Sequence, residues 1–211
     1  MHPNPIYRTV PAEDNLAHAR ERSFGVLTIS GEDAPHVSHV PFVLTEDGTW
    51  ADLHLVRSNP MARAITGPTP ARLVISGPDS YISPDWYGME DQVPTWNYVA
   101  VHLTGTLAPL PPDTLPDLLD RLSQQFEEQL LPKKPWTRSK MDAQAFDRMC
   151  RMILPYRFSV EDVQGTWKLA QNKPATARQG AADGVDAHGI GAETRLLAAL
   201  MRSPLADPDQ G

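Results

Sequence analysis

Residues 96–107 read Trp-Asn-Tyr-Val-Ala-Val-His-Leu-Thr-Gly-Thr-Leu, and this stretch decides the fold class. Apolar side chains recur at every second position through Val99, Val101 and Leu103, and again at Leu107. Successive side chains of a β-strand point to opposite faces, so this period of two predicts a long strand with one face in a core. The opposite face carries aromatic and polar side chains, namely Trp96, Tyr98, His102 and Thr104. Such a face suits a ligand cleft or a subunit interface better than open water.

Shorter stretches of the same type lie on both sides of this strand. Asp47-Gly48 separates two of them and is a strong signal for a β-hairpin. The predicted strands are Phe24–Ile29, His36–Leu44, Thr49–Arg57, Ala71–Ser76, Trp96–Leu107, Tyr156–Val160 and Gln164–Leu169. Because hairpins join most of them, we predict a mainly β protein with peripheral helices, and an antiparallel barrel of six or seven strands is its economical architecture.

The predicted helices lie between and after these strands. Asn59 as N-cap and Pro60 at the first helical position predict a short helix that ends near Ile65. The other helices are predicted at about 12–22, 113–129, 142–153 and 192–202. The Pro/Gly-rich residues 77–94 and the Ala/Gly-rich residues 174–191 are predicted to be loops, and a frayed end is predicted after Arg202.

The composition excludes several classes of protein. The 211 residues carry a formal net charge of −7, which is a poor match for duplex DNA unless the basic residues cluster. The longest aliphatic run, Leu196–Leu200, is far too short to cross a membrane. With Cys150 as its single cysteine the chain can form no internal disulfide, and its N-terminus lacks the pattern of a secretory signal. We therefore expect a cytoplasmic protein with no membrane partner.

The familiar catalytic and cofactor motifs are missing from the sequence. There is no P-loop, and the Gly-x-Gly at Gly189–Gly191 lacks the third glycine of a dinucleotide-binding turn. His36 and His39 lie three positions apart on a predicted strand, so they point to opposite faces and cannot bind one metal ion together. We therefore predict no metal site, and the sequence assigns no catalytic residue.

Polar and aromatic residues instead cluster at the ends of the predicted strands. The clusters lie at residues 38–41, 54–60, 77–87, 93–98 and 168–173. Together they resemble the PaiB-type family of FMN-binding transcriptional regulators, over roughly residues 1–173 and weakly to the end. The most specific parts of the resemblance are Tyr81–Tyr87, Pro94–Tyr98 and the Gln171-Asn172-Lys173 ending. Ala170 departs from the family pattern, because serine is usual there.

The resemblance implies an FMN-binding split β-barrel, the fold shared with pyridoxamine phosphate oxidases and flavin reductases. It implies a homodimer with FMN bound at the subunit interface. It further implies one FMN-binding domain over residues 1–173, with inserted helices at about 113–153. Residues 174–211, a C-terminal loop and helix, are expected to belong to the same domain.

FMN carries a phosphate dianion, which is best bound by a cation together with backbone N–H groups. Arg57 and Ser58, beside the helix that begins at Pro60, supply both and are the predicted phosphate site. The alternative is an ordinary capped surface helix with a solvated Arg57.

The flavin ring requires a flat, mostly apolar slot with a few fixed polar groups. His39, Pro41 and residues 96–98 are candidates for this slot, and the polar residues at 168 and 171–173 suit an anionic ligand. A core histidine, plain interface packing and an exposed polar turn are the alternative explanations. The full set predicted to bind FMN is Ser38, His39, Pro41, His54, Arg57, Ser58, Asn59, Trp96, Asn97, Tyr98, Lys168, Gln171, Asn172 and Lys173. Tyr81–Tyr87 is either a lid over the cofactor or a cover for one end of the barrel.

The resemblance implies one of two functions. The first is an FMN-binding regulator in which the flavin serves structure or sensing, and the second is a flavin-dependent oxidoreductase that acts on a small molecule. The acidic charge and the missing helix-turn-helix pattern disfavour direct reading of DNA, so the regulatory partner is either DNA bound weakly or an indirect one. The sequence has no paired carboxylates and no nucleophile–base pair, so whether the chain is an enzyme stays open.

Overall fold

The computed structural model describes residues 1–204 and is a mainly β protein. Its strands are β1 Phe24–Ile29, β2 His36–Leu44, β3 Trp50–Val56, β4 Thr69–Ile82, β5 Thr95–Pro109 and β6 Ile153–Lys168. Its helices are α1 Ala12–Arg22, α2 Pro60–Ala64, α3 Leu115–Glu128, α4 Ala143–Cys150, α5 Ala175–His188 and α6 Thr194–Arg202. Short 3-10 turns lie at Pro5–Tyr7, Pro84–Tyr87, Pro112–Thr114 and Arg138–Lys140.

The strands of the described chain close into one barrel in the order β1-β2-β3-β6-β5-β4. β1 pairs antiparallel with β2 and with β4, and β3 pairs antiparallel with β2 and with β6. The predicted mainly β barrel with peripheral helices is therefore confirmed.

Buried and exposed side chains alternate along the strands, and the buried ones form the core. In β5, Val99, Val101, Leu103 and Leu107 are all buried, and every second residue from Ala100 to Thr106 is partly exposed, as the sequence predicts. The same alternation holds along the strands of the first hairpin and, apart from the buried Asp52, along β3. The inward-facing side chains there are Leu27, Ile29, Val40, Phe42, Leu44, Ala51, Leu53 and Leu55.

The chain divides into two compact units, and the division points fall within α1, β4, β5 and β6. The insertion unit comprises residues 16–74 and 103–163 and contains α3 and α4. The terminal unit comprises residues 1–15, 75–102 and 164–204 of the described chain and contains α5 and α6. The assignment of residues 1–173 to a single FMN-binding domain stays a prediction.

Strand β4 is longer than the sequence predicted. It continues through Gly77-Pro78 to Ile82, so the prediction of a loop from Gly77 onward is wrong for these six residues. The backbone N–H groups of Asp79 and Tyr81 donate to the carbonyls of Ala192 at 3.0 Å and Ile190 at 2.9 Å. This pairing with a segment distant in sequence holds the chain extended where composition alone favours a loop.

Strand β6 runs unbroken from Ile153 to Lys168, where two separate strands were predicted. Its first residue pairs with Val56 of β3, which draws Ile153 into the sheet. Helix α4 therefore ends at Cys150 rather than near Ile153.

The segment 174–191 is helical over most of its length, so the prediction of a loop there is wrong. Helix α5 buries Ala177, Ala181, Ala182 and Val185, which recur at helical spacing. Its glycines allow close packing, since a Cβ at Gly184 would lie 2.3 Å from the indole of Trp86. Alanine and glycine give this segment no clear helical pattern in the sequence. The same small residues allow neighbouring elements to pack closely against the helix.

No helix within residues 1–204 has both the length and the apolar character needed to cross a bilayer. The frayed end predicted after Arg202 falls largely on residues 205–211, which lie outside the described residues. A cytoplasmic location stays a prediction.

A buried carboxylate joins three elements of the insertion unit. Asp52 in β3 has a side chain only 2% exposed, and the bidentate guanidinium of Arg157 in β6 donates to it at 2.8 and 3.0 Å. Arg121 of α3 donates to the same carboxylate at 2.9 Å. The Arg157 guanidinium also lies 4.6 Å from the ring centre of Trp50. These hydrogen bonds to Asp52 raise the pKa of Arg157 and anchor α3 against β3.

We expect Asp52→Asn to lower the free energy of unfolding by about 1–3 kcal/mol, because both arginines lose their charged acceptor. Urea denaturation followed by circular dichroism measures this change. The matched control is Asp117→Asn, whose side chain is 76% exposed and pairs with Arg121 at 2.8 Å. That variant should lose less than about 0.5 kcal/mol, since exposed pairs within one helix contribute little. Equal losses in the two variants would contradict an anchoring role for Asp52.

Candidate functional site

The predicted binding residues fall into two groups, one in each unit. The insertion unit holds Ser38, His39, Pro41, His54, Arg57, Ser58 and Asn59. The terminal unit holds Trp96, Asn97, Tyr98, Lys168, Gln171, Asn172 and Lys173.

The amide of Asn59 links two elements of the insertion unit. Its Oδ1 accepts from the backbone N–H of Met61 at 2.9 Å, so the predicted N-cap of α2 is confirmed. Its Nδ2 donates to Oγ of the buried Ser38 at 2.7 Å, which connects the start of α2 to β2. Both side chains thus position the segment that precedes α2.

Arg57 and Ser58 lie on the surface immediately before that cap. The Nε of Arg57 donates to the carbonyl of Arg151 at 3.1 Å, and its backbone N–H donates to the carbonyl of Met152 at 2.8 Å. Within residues 1–204, the Nη atoms of Arg57 and the hydroxyl of Ser58 have no hydrogen-bond partner. The Arg57 guanidinium is therefore held in place through Nε, and its two Nη atoms can donate hydrogen bonds to an anion.

His39 and Pro41 lie on the opposite face of β2 from Ser38. His39 is exposed, and its ring stacks on Phe24 of β1 with 6.4 Å between ring centres. Both belong to the outer surface of the barrel rather than to its interior.

His54 lies on the face of β3 that points away from the core. Its Nδ1 is buried and has no hydrogen-bond partner among the described residues. Burial lowers the pKa of this imidazole, since the charged form loses solvation. A neutral ring with an open nitrogen can accept or donate one hydrogen bond to a ligand.

Four predicted residues of the terminal unit line one cavity of about 230 Å³: Asn97, Lys168, Asn172 and Lys173. Lys168 at the end of β6 donates to Oγ1 of Thr95 at 2.5 Å, and Lys173 donates to Gln92. Burial lowers the pKa of the Lys168 ammonium. Two ammonium groups beside one small cavity fit an anionic or electron-rich ligand group.

Asn97 carries an unmatched acceptor in this cavity. The residue is 1% exposed, and its Nδ2 donates to Sδ of Met201 at 3.6 Å. Its Oδ1 is buried and has no partner among the described residues. A buried amide oxygen without a donor is costly, so it marks a place for a donor from a ligand.

Two tyrosines that the binding set lacked also line the cavity. Tyr87 comes from the Tyr81–Tyr87 segment, whose role was left open, and Tyr7 comes from the N-terminal turn. Burial raises the pKa of Tyr87 to about 12. The ammonium of Lys168 lies 6.0 Å from the Tyr7 ring centre, and that of Lys173 lies 5.4 Å from the Tyr87 ring centre. Tyr87 thus forms a wall of the cavity, and no sequence signal marked Tyr7.

Both polar atoms of the Gln171 side chain form hydrogen bonds with the backbone. Its Oε1 accepts from the N–H of Leu169 at 2.8 Å, and its Nε2 donates to the carbonyl of Trp167 at 2.6 Å. A further bond from Nε2 reaches the carbonyl of Ile6 at 3.2 Å. Gln171 therefore shapes the turn that carries Lys168 and Lys173.

Trp96 and Tyr98 lie on the opposite face of β5 from Asn97. Trp96 is 47% exposed, and Tyr81 packs edge-on against it with ring centres 6.4 Å apart. The strand alternation therefore separates the aromatic pair from the amide, although the three residues are consecutive.

The fold defines the chain as a β-barrel protein with peripheral helices, and similarity to known proteins gives its family. A family model described as "Putative FMN-binding domain" matches residues 1–162, and the chain belongs to that family. The resemblance to the PaiB-type family is confirmed by a relative from Bacillus subtilis strain 168, "Protease synthase and sporulation protein PAI 2". The two sequences are 29% identical over 172 residues, which cover 81% of this chain and 82% of the relative.

Solved structures support the fold. The FAD and heme binding protein from Mycobacterium smegmatis aligns with a TM-score of 0.58 and 14% identity, covering 88% of this chain and 82% of that one. A protein from Bacteroides thetaiotaomicron described as a putative 5-nitroimidazole antibiotic resistance protein aligns with a TM-score of 0.52 and 12% identity. That match covers 75% of this chain and 84% of the other. At such identities the likeness concerns the fold alone.

Proposed function

We propose that this chain binds FMN, with its phosphate at Arg57 and Ser58 of the insertion unit. The observation that carries the proposal is the Arg57 guanidinium, whose Nε donates to the carbonyl of Arg151 at 3.1 Å and whose Nη atoms have no hydrogen-bond partner within residues 1–204. When bound, FMN supplies a ring that can accept and release electrons.

The phosphate assignment rests on the charge and the open nitrogens of Arg57. The Arg151 carbonyl fixes the guanidinium through Nε, so its remaining donors are oriented before a ligand arrives. The cap made by Asn59 and Ser38 holds the segment before α2 in place, so these two residues position the site rather than donate charge.

We expect Arg57→Ala to weaken FMN binding by roughly 10- to 150-fold, because the phosphate loses a charge-assisted hydrogen bond of about 1.5–3 kcal/mol. Quenching of flavin fluorescence on titration measures the affinity. The matched control is Arg63→Ala, at the exposed end of the same helix, which should change the affinity less than about threefold. An unchanged FMN affinity in Arg57→Ala would contradict the assignment of the phosphate to Arg57. Lys173→Ala would then be the next variant to titrate.

We further propose that FMN lies at the interface of a homodimer. A cavity of about 230 Å³ is smaller than the range of roughly 300–1,000 Å³ typical of ligand pockets, so a whole cofactor needs more walls. The outer face of β1 and β2 supplies an apolar surface for a second copy. Phe24 is 52% exposed and Val37 is 55% exposed, and His39 and Pro41 lie on the same face. Such a face is costly to leave in water.

We expect Val37→Asp to shift the chain from dimer to monomer, because the interface would bury an unpaired carboxylate. Sedimentation velocity at micromolar concentration measures the shift. Ile190→Asp is the matched control, since Ile190 is 62% exposed in the terminal unit, and it should leave the dimer intact. A wild-type chain that sediments as a monomer would defeat the dimer proposal.

The biological role we propose is regulation, with the flavin serving structure or sensing. The support is the similarity to the Bacillus subtilis protein, whose name associates it with protease synthesis and sporulation. The net charge of −7 favours an indirect effect over tight binding to DNA. The oxidoreductase alternative has no comparable support among the described residues.

We expect purified protein to bind its own promoter and random DNA equally weakly, with Kd values no tighter than about 10⁻⁶ M near physiological salt. Any affinity at low salt should fall steeply as salt rises, because only scattered phosphate contacts are available. Fluorescence anisotropy with competitor DNA measures both quantities. Nanomolar, competitor-resistant binding to one promoter would establish direct repression instead.

A further inference from the structure

The helical insertion contains a second, larger cavity, which we name the insertion cleft. It lies between α3, the loop at residues 135–141 and α4, and its volume is about 800 Å³. This volume falls within the range of roughly 300–1,000 Å³ that small-molecule sites occupy. None of the residues predicted to bind FMN lines it.

The walls of the cleft are largely aromatic and apolar. Trp136 and Phe146 contribute rings, and Met141 contributes a thioether. Helix α4 has no buried residue, and Phe146 on it is only partly covered. Ala143 and Phe146 of this helix therefore face the cleft instead of a packed core, which leaves room for an apolar ligand.

The charged groups of the cleft are unbalanced. Three carboxylates line it, from Asp120, Glu128 and Asp147, against one guanidinium, from Arg138. Arg138 pairs with Asp120 at 3.0 Å and lies 5.0 Å from the ring centre of Phe146. Glu128 accepts from the amide of Gln124 at 2.7 Å, and neither it nor Asp147 has an ion-pair partner within residues 1–204.

We propose that the insertion cleft binds a small organic cation, such as an amine with an aromatic or bulky alkyl group. Trp136 and Phe146 bind the apolar part, and Glu128 and Asp147 attract the positive charge. The existing contact of Arg138 with Phe146 and Asp120 is an example, within the same cleft, of a cation held between an aromatic ring and a carboxylate. Two unbalanced negative charges favour a cation over an anion of the same shape.

The first test uses two ions of nearly the same size and shape, tetraphenylphosphonium and tetraphenylborate, titrated into the full chain by calorimetry. We expect the phosphonium to bind with one site per chain, at least about tenfold more tightly than the borate, because the charge of the cleft attracts one and repels the other. Raising the salt concentration should narrow the difference. Equal binding of both ions, or binding of neither, would overturn the proposal.

The second test locates the phosphonium site with variants that preserve shape. Glu128→Gln and Asp147→Asn should each weaken phosphonium binding about two- to fivefold. Phe146→Leu should weaken it by a similar factor through the loss of the ring. The controls are Glu32→Gln and Asp33→Asn, two exposed acids in the turn between β1 and β2, which should leave the affinity unchanged. Equal effects in variants and controls would overturn the assignment to this cleft.

A third measurement separates a ligand site from a protein interface. Sedimentation with and without saturating phosphonium should give the same oligomeric state if the cleft is a ligand site. Dissociation of a dimer by the phosphonium would assign the cleft to a second copy of the chain and overturn the proposal. FMN affinity should stay constant in Glu128→Gln and Asp147→Asn, so failure of this proposal is distinguishable from failure of the flavin proposal.

Discussion

The closed barrel imposes the constraint on which the rest of the structure depends. Once the sheet closes, every strand must turn alternate side chains into an interior that only side chains fill. Val99, Val101 and Leu103 occupy that interior, so it has no room for a cofactor. We therefore expect binding groups on the outer face, at strand ends or in segments added to the barrel, and the candidates Arg57 and Lys168 lie at strand ends.

Secondary-structure elements could be predicted from the sequence where the pattern that marks them involves only neighbouring residues. The period of two in β5 and the Asn59-Pro60 start of α2 each depend on neighbouring residues, and both agree with the structure. The end of β4 depends instead on hydrogen bonds to residues 190–192, more than a hundred positions away, so its composition was misleading. Helix α5 was missed for a different reason, because alanine and glycine give a weak apolar pattern even when they form a closely packed face.

The candidate site was predictable in residue type but not in arrangement. Charge and spacing singled out Lys168 and Lys173, which the structure places at one cavity. Alternation alone could have separated Asn97 from Trp96 and Tyr98, because consecutive strand residues face opposite ways. Tyr7 had no signal, since its place at the cavity depends on tertiary packing of the N-terminal turn. Gln171 lies in a motif that indicated ligand binding, but its side chain forms hydrogen bonds with neighbouring backbone groups.

The turn that follows β6 has a consequence for the thermodynamics of recognition. Ala170 adopts a left-handed conformation with φ of 62°, which costs a residue with a side chain about 1–2 kcal/mol. The bonds of Gln171 to the neighbouring backbone hold the turn in that shape without any ligand. The entropy of ordering the segment between the two ammonium groups is thus lost during folding rather than on association. The turn beside this cavity is therefore rigid before a ligand binds. We expect the binding enthalpy to come from the contacts with the ligand, and the loss of backbone conformational entropy on binding to be small.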